Sequence, residues 1–192
     1  LSSAPEMLIV KSRTFAGKHW ATYHKDLGNT VRLDLERDVA QITGTGAWNS
    51  TTPTSSLVTL GSQSDVNTSS ADHIMYAFHS VTGYSKFDTY TGTAGTHTIT
   101  TGFNPAFIMI KRTNTTGEHW YMYDNTRFPH SQQNSVTANN NGVEGGNSSM
   151  LINYLATGFQ IVGTNAGINT SGDTYIYMAF ADKREYAYWL DQ

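Results

Sequence analysis

Pro5-Glu6-Met7-Leu8-Ile9-Val10-Lys11 recurs one hundred positions later as Pro105-Ala106-Phe107-Ile108-Met109-Ile110-Lys111. The register runs on without a gap from Gly17-Lys18-His19-Trp20-Ala21-Thr22-Tyr23 to Gly117-Glu118-His119-Trp120-Tyr121-Met122-Tyr123. Six of the 19 aligned positions are identical, and the four from Met7 to Val10 each exchange one apolar residue for another. A second block follows at an offset of 102: Gly61 to Ser69 matches Gly163 to Ser171, then Ile74 to Phe78 matches Ile176 to Phe180, and Tyr84 matches Tyr186. The chain is therefore read as two copies of one unit, and a repeat constrains a fold more than any single motif does. The growth of the offset places a small insertion in the Asn-rich middle of copy two, where a loop absorbs it.

Within each copy the apolar runs are of strand length. Met7 to Val10, Val31 to Leu35, Leu57 to Leu60, Ile74 to Phe78, Phe107 to Ile110, Phe159 to Val162 and Tyr175 to Phe180 are separated by Gly, Ser, Thr and Asn turns. This spacing predicts an all-β chain of antiparallel sandwiches, jelly-roll or concanavalin-like. Val31, Leu33 and Leu35 alternate with Arg32, Asp34 and Glu36, which predicts a strand with one wet face. Asp34 to Ile42 is the one stretch expected to take a helical turn or two. The boundaries follow from the repeat: residues 1–90 and 91–192, each about one hundred residues long. Thr96 to Thr100 reads as a strand opening copy two, whereas copy one has only Leu1 to Ala4 in that place. Copy one is expected to lack its first strand, either because the sequence is part of a longer array, which we favour, or because another chain supplies it. The copies are expected to be separate units rather than halves of one sandwich.

Composition agrees and narrows function. Only 14% of the 192 residues are charged, against roughly 25% in an ordinary globular chain. Thr, Ser and Asn make up 58 residues in their place, a mixture suited to strands and turns rather than helices. The formal net charge of −3, with Lys and Arg scattered singly, offers no basic stripe for nucleic acid. No apolar run approaches the roughly 18 residues that span a bilayer, so no membrane insertion is expected. The absence of cysteine excludes disulfide scaffolds and thiolate chemistry.

The residues that could carry chemistry are few. His19-Trp20 and His119-Trp120 could form sugar platforms, with the indole stacked on a pyranose and the imidazole bonded to a hydroxyl. Alternation along a strand favours a simpler reading, with the Trp in a core and the His on the opposite face. His19 with His24, matched by His119 with Asp124, has poor spacing for zinc. Asp65, Asn67 and Asp72, with Asn165, Asn169 and Asp173, offer oxygens for calcium, but the same composition makes Asx turns. No metal and no cofactor is expected. Catalysis finds no paired carboxylates that recur, no nucleophile elbow and no phosphate loop. Lys11 and Lys111 recur, and a strand-end lysine covering apolar surface with its stem explains them. The polar stretch Gln132-Gln133-Asn134, Asn139-Asn140-Asn141-Gly142 and Gly145 to Ser149 suits glycan contact, and Asn139, Asn140, Asn141, His19 and His119 are the candidate ligand-binding residues. The sequons at Asn49, Asn114 and Asn147 follow from composition alone.

Pro5 to Arg13, His19-Trp20, Tyr23-His24, Gly102-Phe103-Asn104-Pro105 and Asn169-Thr170-Ser171-Gly172-Asp173-Thr174-Tyr175-Ile176 through Phe180 together resemble a tandem module of bacteriophage virion proteins. The module is common in phages of marine bacteria, cyanophages included. It is usually described as tail-fibre-like or lectin-like and of unassigned role. The resemblance implies β-sandwich repeats in a non-enzymatic virion or extracellular component. Its expected partners are copies of itself in a homo-oligomer, other virion proteins and host surface glycans. A filament subunit or a carbohydrate-binding module is the alternative. The shared motifs are fold markers, so no catalytic residue is carried over.

Overall fold

Two properties decide how these runs fold: β-branched and aromatic side chains favour the pleated backbone, and each buried backbone group must find a partner. The computed structural model describes residues 2–127, 134–146 and 148–181. Fourteen strands occur among them. β1 (Met7–Ser12), β2 (Ala21–His24), β3 (Val31–Asp34), β4 (Ile42–Thr43), β5 (His73–Phe78) and β6 (Ser85–Thr91) come first. β7 (His97–Thr100), β8 (Pro105–Arg112), β9 (Trp120–Asp124), β10 (Asn134–Thr137) and β11 (Gly145–Gly146) follow, then β12 (Ile152–Leu155), β13 (Gly158–Ile161) and β14 (Thr174–Ala181). The described residues are nearly all β, with one four-residue helix, α1 (Ala166–Asn169), and a single 3-10 turn at Ser148–Met150.

The strands form three antiparallel sheets, ordered β4-β3-β2-β1-β5, β11-β10-β9-β8-β14-β6 and β12-β13-β7. The first five positions of the first two sheets follow the same order. β6 lies within residues 1–90 except for Thr91, yet it pairs along its whole length with β14 of the second sheet.

Three apolar clusters stack these sheets. Met7, Ile9 and Leu33 of the first sheet pack with Phe87, Met109, Trp120 and Ile176 of the second. The opposite face of the second sheet, with Ile108, Ile110, Tyr123, Tyr175 and Tyr177, packs against Ile99, Ile152, Phe159 and Ile161 of the third. The outer face of the first sheet, through Leu8, Val10, Ala21 and Tyr23, is covered by Ala47, Trp48, Val58, Leu60 and Val66. Each half thus keeps a cluster of its own, and the two halves share a third. Polar bonds fasten the shared contact: Trp120 Nε1 donates to the Asp34 carbonyl (3.0 Å), Gln41 N to that of Thr113 (2.7 Å), and Gly117 N to that of Asp38 (2.8 Å).

Three sequence expectations need correction. Leu57 to Leu60 is not a strand. Its counterpart, in β13, pairs with β12 and β7, whereas the residues matching β12 are Ser50-Thr51-Thr52-Pro53, and no described strand stands where β7 stands. Without partners on either edge, the segment packs through Val58 and Leu60 instead. Asp34 to Ile42 contains no helix: Arg37 N closes a single turn on the Asp34 carbonyl (3.2 Å), while Leu35 N and Gln41 N bond outward, to the Trp20 and Thr113 carbonyls. The polar face of β3 is not wet: Arg32 is 6% exposed and Asp34 1%.

Gly61 and Gly163 match in the repeat, and a Cβ on either would fall 2.1 Å from the Gly46 carbonyl oxygen or 2.0 Å from that of Ser149. Gly163→Ala and Gly61→Ala are each expected to cost about 2 kcal/mol or more, the penalty of overpacking against backbone. Gly44→Ala, with nothing within 4 Å, should stay within about 1 kcal/mol of the parent. Denaturant unfolding of the three variants checks this, and equal stabilities would refute the close-approach account.

Candidate functional site

The recurring polar residues gather where β1 joins β2 and where β8 joins β9. At the end of each leading strand a lysine reaches over the following turn. Lys111 Nζ donates to the Glu118 carbonyl (2.6 Å), and Lys11 Nζ makes the same bond to the Lys18 carbonyl. Lys111 is fully buried, and burial pushes its amine down to about 8. Lys11 lies 6.0 Å from the centre of the Trp20 ring. The lysines therefore tie a loop to a strand end.

The histidine beside each loop is held by a side chain two residues past the end of the neighbouring strand, β3 or β10. In copy one, Glu36 accepts from Trp20 N (3.0 Å) and meets His19 Nδ1 (2.5 Å). In copy two, Asn139 Oδ1 accepts from Trp120 N (2.9 Å), and its Nδ2 meets His119 Nδ1 (2.8 Å). The two clamps share a shape and differ in polarity. A carboxylate only accepts, so His19 Nδ1 must carry hydrogen. The Trp120 N–H fixes the Asn139 oxygen, so its amide nitrogen faces the ring and His119 Nδ1 must accept. Asn140 Nδ2 stands 3.4 Å from His119 Nε2, but a neutral ring that accepts at Nδ1 carries its hydrogen at Nε2. The shorter contact therefore sets the tautomer.

His119, Asn139 and Asn140 are thus brought together, His19 stands at the matching place in copy one, and Asn141 is exposed next to Asn140. Asn140 Oδ1 also accepts from Thr137 Oγ1 (2.6 Å) and Gly142 N (2.8 Å). Trp120 is buried in the core, while Trp20 is half-buried beside Leu35, Glu36 and Ala138. Gln132, Gln133, Asn147 and Tyr186 lie outside the described residues.

The oxygens proposed for calcium meet other partners. Asp65 accepts from His19 N (2.9 Å) and from Arg32 (2.5 Å). Burial acts to raise its pKa, but the His19 N–H and the Arg32 guanidinium outweigh that and hold it below the usual value. Asn67 Nδ2 donates to the Gly61 carbonyl (3.1 Å), and Asp72 sits exposed on a turn whose N–H bonds Thr14. Asn165 caps α1 through Gly167 N (2.8 Å). Asn169 is fully buried and bonds Thr93 N and the carbonyls of Gly95 and Gly163. Asp173 pairs with Arg112 and takes the Asn114 amide (2.7 Å). Among the described residues no group of three or more His, Asp or Glu is placed to hold a metal ion.

Sequence reasoning missed the buried charge network. Arg32 bridges Asp65 and Asp34 (3.1 Å from Nε), and Asp34 also takes Arg37 (3.1 Å). Only the alternation at β3 pointed there, and it was read as a wet face. A shallow groove of about 270 Å³ is lined by Tyr121, Thr137, Asn140, Val143, Met150 and Asn165, among others. It brings one aromatic ring and several amide and hydroxyl residues together beside the clamp of copy two.

By fold and site the chain is an all-β protein of stacked antiparallel sheets whose recurring polar residues brace strand ends. It belongs to the family described as "Domain of unknown function (DUF7483)", which matches residues 1–184. No curated protein and no solved structure matches it.

Nitrogen-detected NMR of the imidazoles should find hydrogen on Nδ1 of His19 and only on Nε2 of neutral His119. Asn139→Asp should move the hydrogen of His119 to Nδ1, and an unchanged spectrum would exclude the clamp. His24 is buried, and burial lowers its pKa from 6.5 to about 4. Between those values the unfolded chain binds a proton that the folded chain does not, so stability rises with pH and levels off above about 6.5. The window is worth about 3 kcal/mol at most. Urea unfolding from pH 4 to 7 should follow that slope, and His24→Gln should remove most of it.

Proposed function

We propose that the chain is a non-enzymatic structural and adhesive module of an extracellular assembly, built as two tandem β-sandwich repeats. A bacteriophage virion is the leading setting, as a tail fibre, head fibre or knob. The observation that carries the reading is the use made of the recurring polar groups. Lys11, Lys111, His19 and His119 are each bonded to a loop carbonyl or a clamp, which suits a rigid spacer. The virion setting is supported by the resemblance of Pro5 to Arg13 and Asn169 to Phe180 to phage modules.

The adhesive half of the proposal is supported by the groove at Tyr121, Asn140 and Asn165, whose aromatic ring and amides suit a sugar ring and its hydroxyls. One such open site binds weakly, and repetition along an assembly multiplies its strength. The same groove supports a carbohydrate-binding module outside a virion as the second reading. Catalysis plays no part in either.

Immunogold electron microscopy of virions or filaments tests the setting, with label on a fibre or knob expected and diffuse label opposing it. A glycan array tests adhesion. Binding is expected with the parent chain and should fall at least tenfold in Tyr121→Ala and in the pair Asn140→Ala with Asn141→Ala. Asn139 is kept, since it holds the His119 clamp. Turnover of a polysaccharide by the purified chain would overturn the non-enzymatic reading.

A further inference from the structure

A three-stranded sheet cannot cover both flanks of a six-stranded one. The third sheet, β12-β13-β7, packs on the second, and the groove at Tyr121 and Asn140 lies on the flank of β9 and β10. On the opposite flank a second groove of about 520 Å³ opens between β6 and β7, a size usual for small-molecule sites. It is lined wholly by described residues of β6, β7, the loop that joins them and β14. Two contacts bridge it. Lys86 Nζ donates to the Thr100 carbonyl (2.9 Å), and the His97 ring meets Tyr90 edge-on at 5.9 Å.

Two polar groups in the wall of this groove have no partner. Of the four tyrosines buried in the core below it, Tyr90, Tyr123 and Tyr175 donate to the carbonyls of Ile168 (2.7 Å), Met150 (3.3 Å) and Ala166 (2.7 Å). Tyr177 is 2% exposed, yet its hydroxyl makes no hydrogen bond among the described residues. Burial, and then the Asp88 and Asp26 carboxylates, push its phenol above the usual range, so it stays a neutral O–H. His97 Nδ1 is likewise buried and unbonded. Buried polar groups are nearly always paired, so two orphans in one groove point to a ligand that completes them. Lys86 and Asp88 pair at 3.3 Å, and their charges balance.

We propose that this groove is a second sugar site, which takes one ring of a neutral glycan through its hydroxyls. A hydroxyl donates and accepts at once, so it completes the Tyr177 O–H and His97 Nδ1 whichever tautomer the imidazole holds. A carboxylate only accepts and an ammonium only donates, and neither is drawn to a groove whose charges already balance. Lys86 donates to Thr100 and Asp88, and Asp88 accepts from Lys86 and from Thr89 N (2.8 Å), which leaves an N–H and further lone pairs for other hydroxyls. Tyr90 and Ile99 supply apolar surface for the C–H groups of the ring. The site extends the adhesive reading but rests on separate residues. From β10 to β6 is four strand spacings, roughly 19 Å, so the two grooves lie far enough apart to hold different rings. Two weak sites on one chain strengthen each other on a repeating glycan.

The test is an amide NMR titration of the full chain with the methyl glycosides of glucose, galactose and mannose. Sodium acetate and methylammonium chloride serve as ionic probes. At least one glycoside should move the Thr89, Thr91 and Ile99 amides saturably, with a Kd in the millimolar range, and neither ion should. Tyr177→Phe removes only the orphan hydroxyl and keeps the ring against Phe159, so the free protein should be no less stable than the parent. Its sugar affinity should fall about threefold to tenfold, the effect of one hydrogen bond. His97→Phe, which keeps a ring against Tyr90, should weaken binding similarly and serves if Tyr177→Phe fails to fold. Three glycosides that leave these amides unmoved, an ion that binds in their place, or variants that bind as the parent does would overturn the proposal. Shifts confined to Tyr121 and Asn140 would remove this site and leave the first groove standing. Shifts confined to the β6 and β7 amides would support this site and remove the first.

Discussion

Burial of the second sheet on both faces is the constraint that organises the rest. Along β8, Ile108 and Ile110 enter the core shared with the third sheet, while Met109 enters the core shared with the first. Along β14, Tyr175, Tyr177 and Ala179 go one way, and Ile176 with the partly buried Met178 and Phe180 the other. Because side chains alternate strictly, a slip of one residue in either strand would exchange the contents of two cores at once. Register is therefore specified from both sides. That accounts for the unbroken apolar character of β8 and β14, which resembles strands of sheets covered on both faces rather than half-wet ones.

This also explains which elements were legible in the sequence. β1, β5, β8 and β14 stand out as apolar runs, and the repeat aligns them before any pairing is known. Strand pairing is non-local, however, and a run shows only that a segment can be a strand. Leu57 to Leu60 matches β13 yet remains irregular, because Pro53 and its polar neighbours stand where β12 stands in copy two. Alternation at β3 showed that Arg32 and Asp34 share a face. It could not show that a segment running from Ala47 to Val66 folds over that side of the sheet and encloses the charges. α1 is a single turn capped by Asn165, too short to leave a periodic signature.

The candidate site was legible in part for a related reason. Lys11 with Lys111 and His19 with His119 recur as letters, so alignment finds them. Their clamps do not: Glu36 and Asn139 stand at an offset of 103 and differ in chemistry, although each joins an indole-bearing residue's N–H to an imidazole. Geometry is kept while hydrogen-bond polarity is reversed, because the ring can present either nitrogen as donor or acceptor. A strand end thus tolerates a change from carboxylate to amide when its partner is a histidine. A lysine or arginine there would have had no such freedom, since neither can accept.

The same comparison between halves separates what a sequence encodes from what its surroundings complete. β5 and β14 share the Ile-x-x-Ala-Phe pattern of a strand meant to be enclosed, and among the described residues only β14 has a strand, β6, along its second edge. Phe78, Phe87 and Phe180 meet within about 6 Å of one another at the point where β5 gives way to β6, so the crossing into the second sheet is itself an aromatic contact between halves. The strand that leaves the first half therefore contributes more to the second half than to its own. Neither half is complete alone: the shared cluster and the pairing of β6 with β14 let each finish part of the other's core.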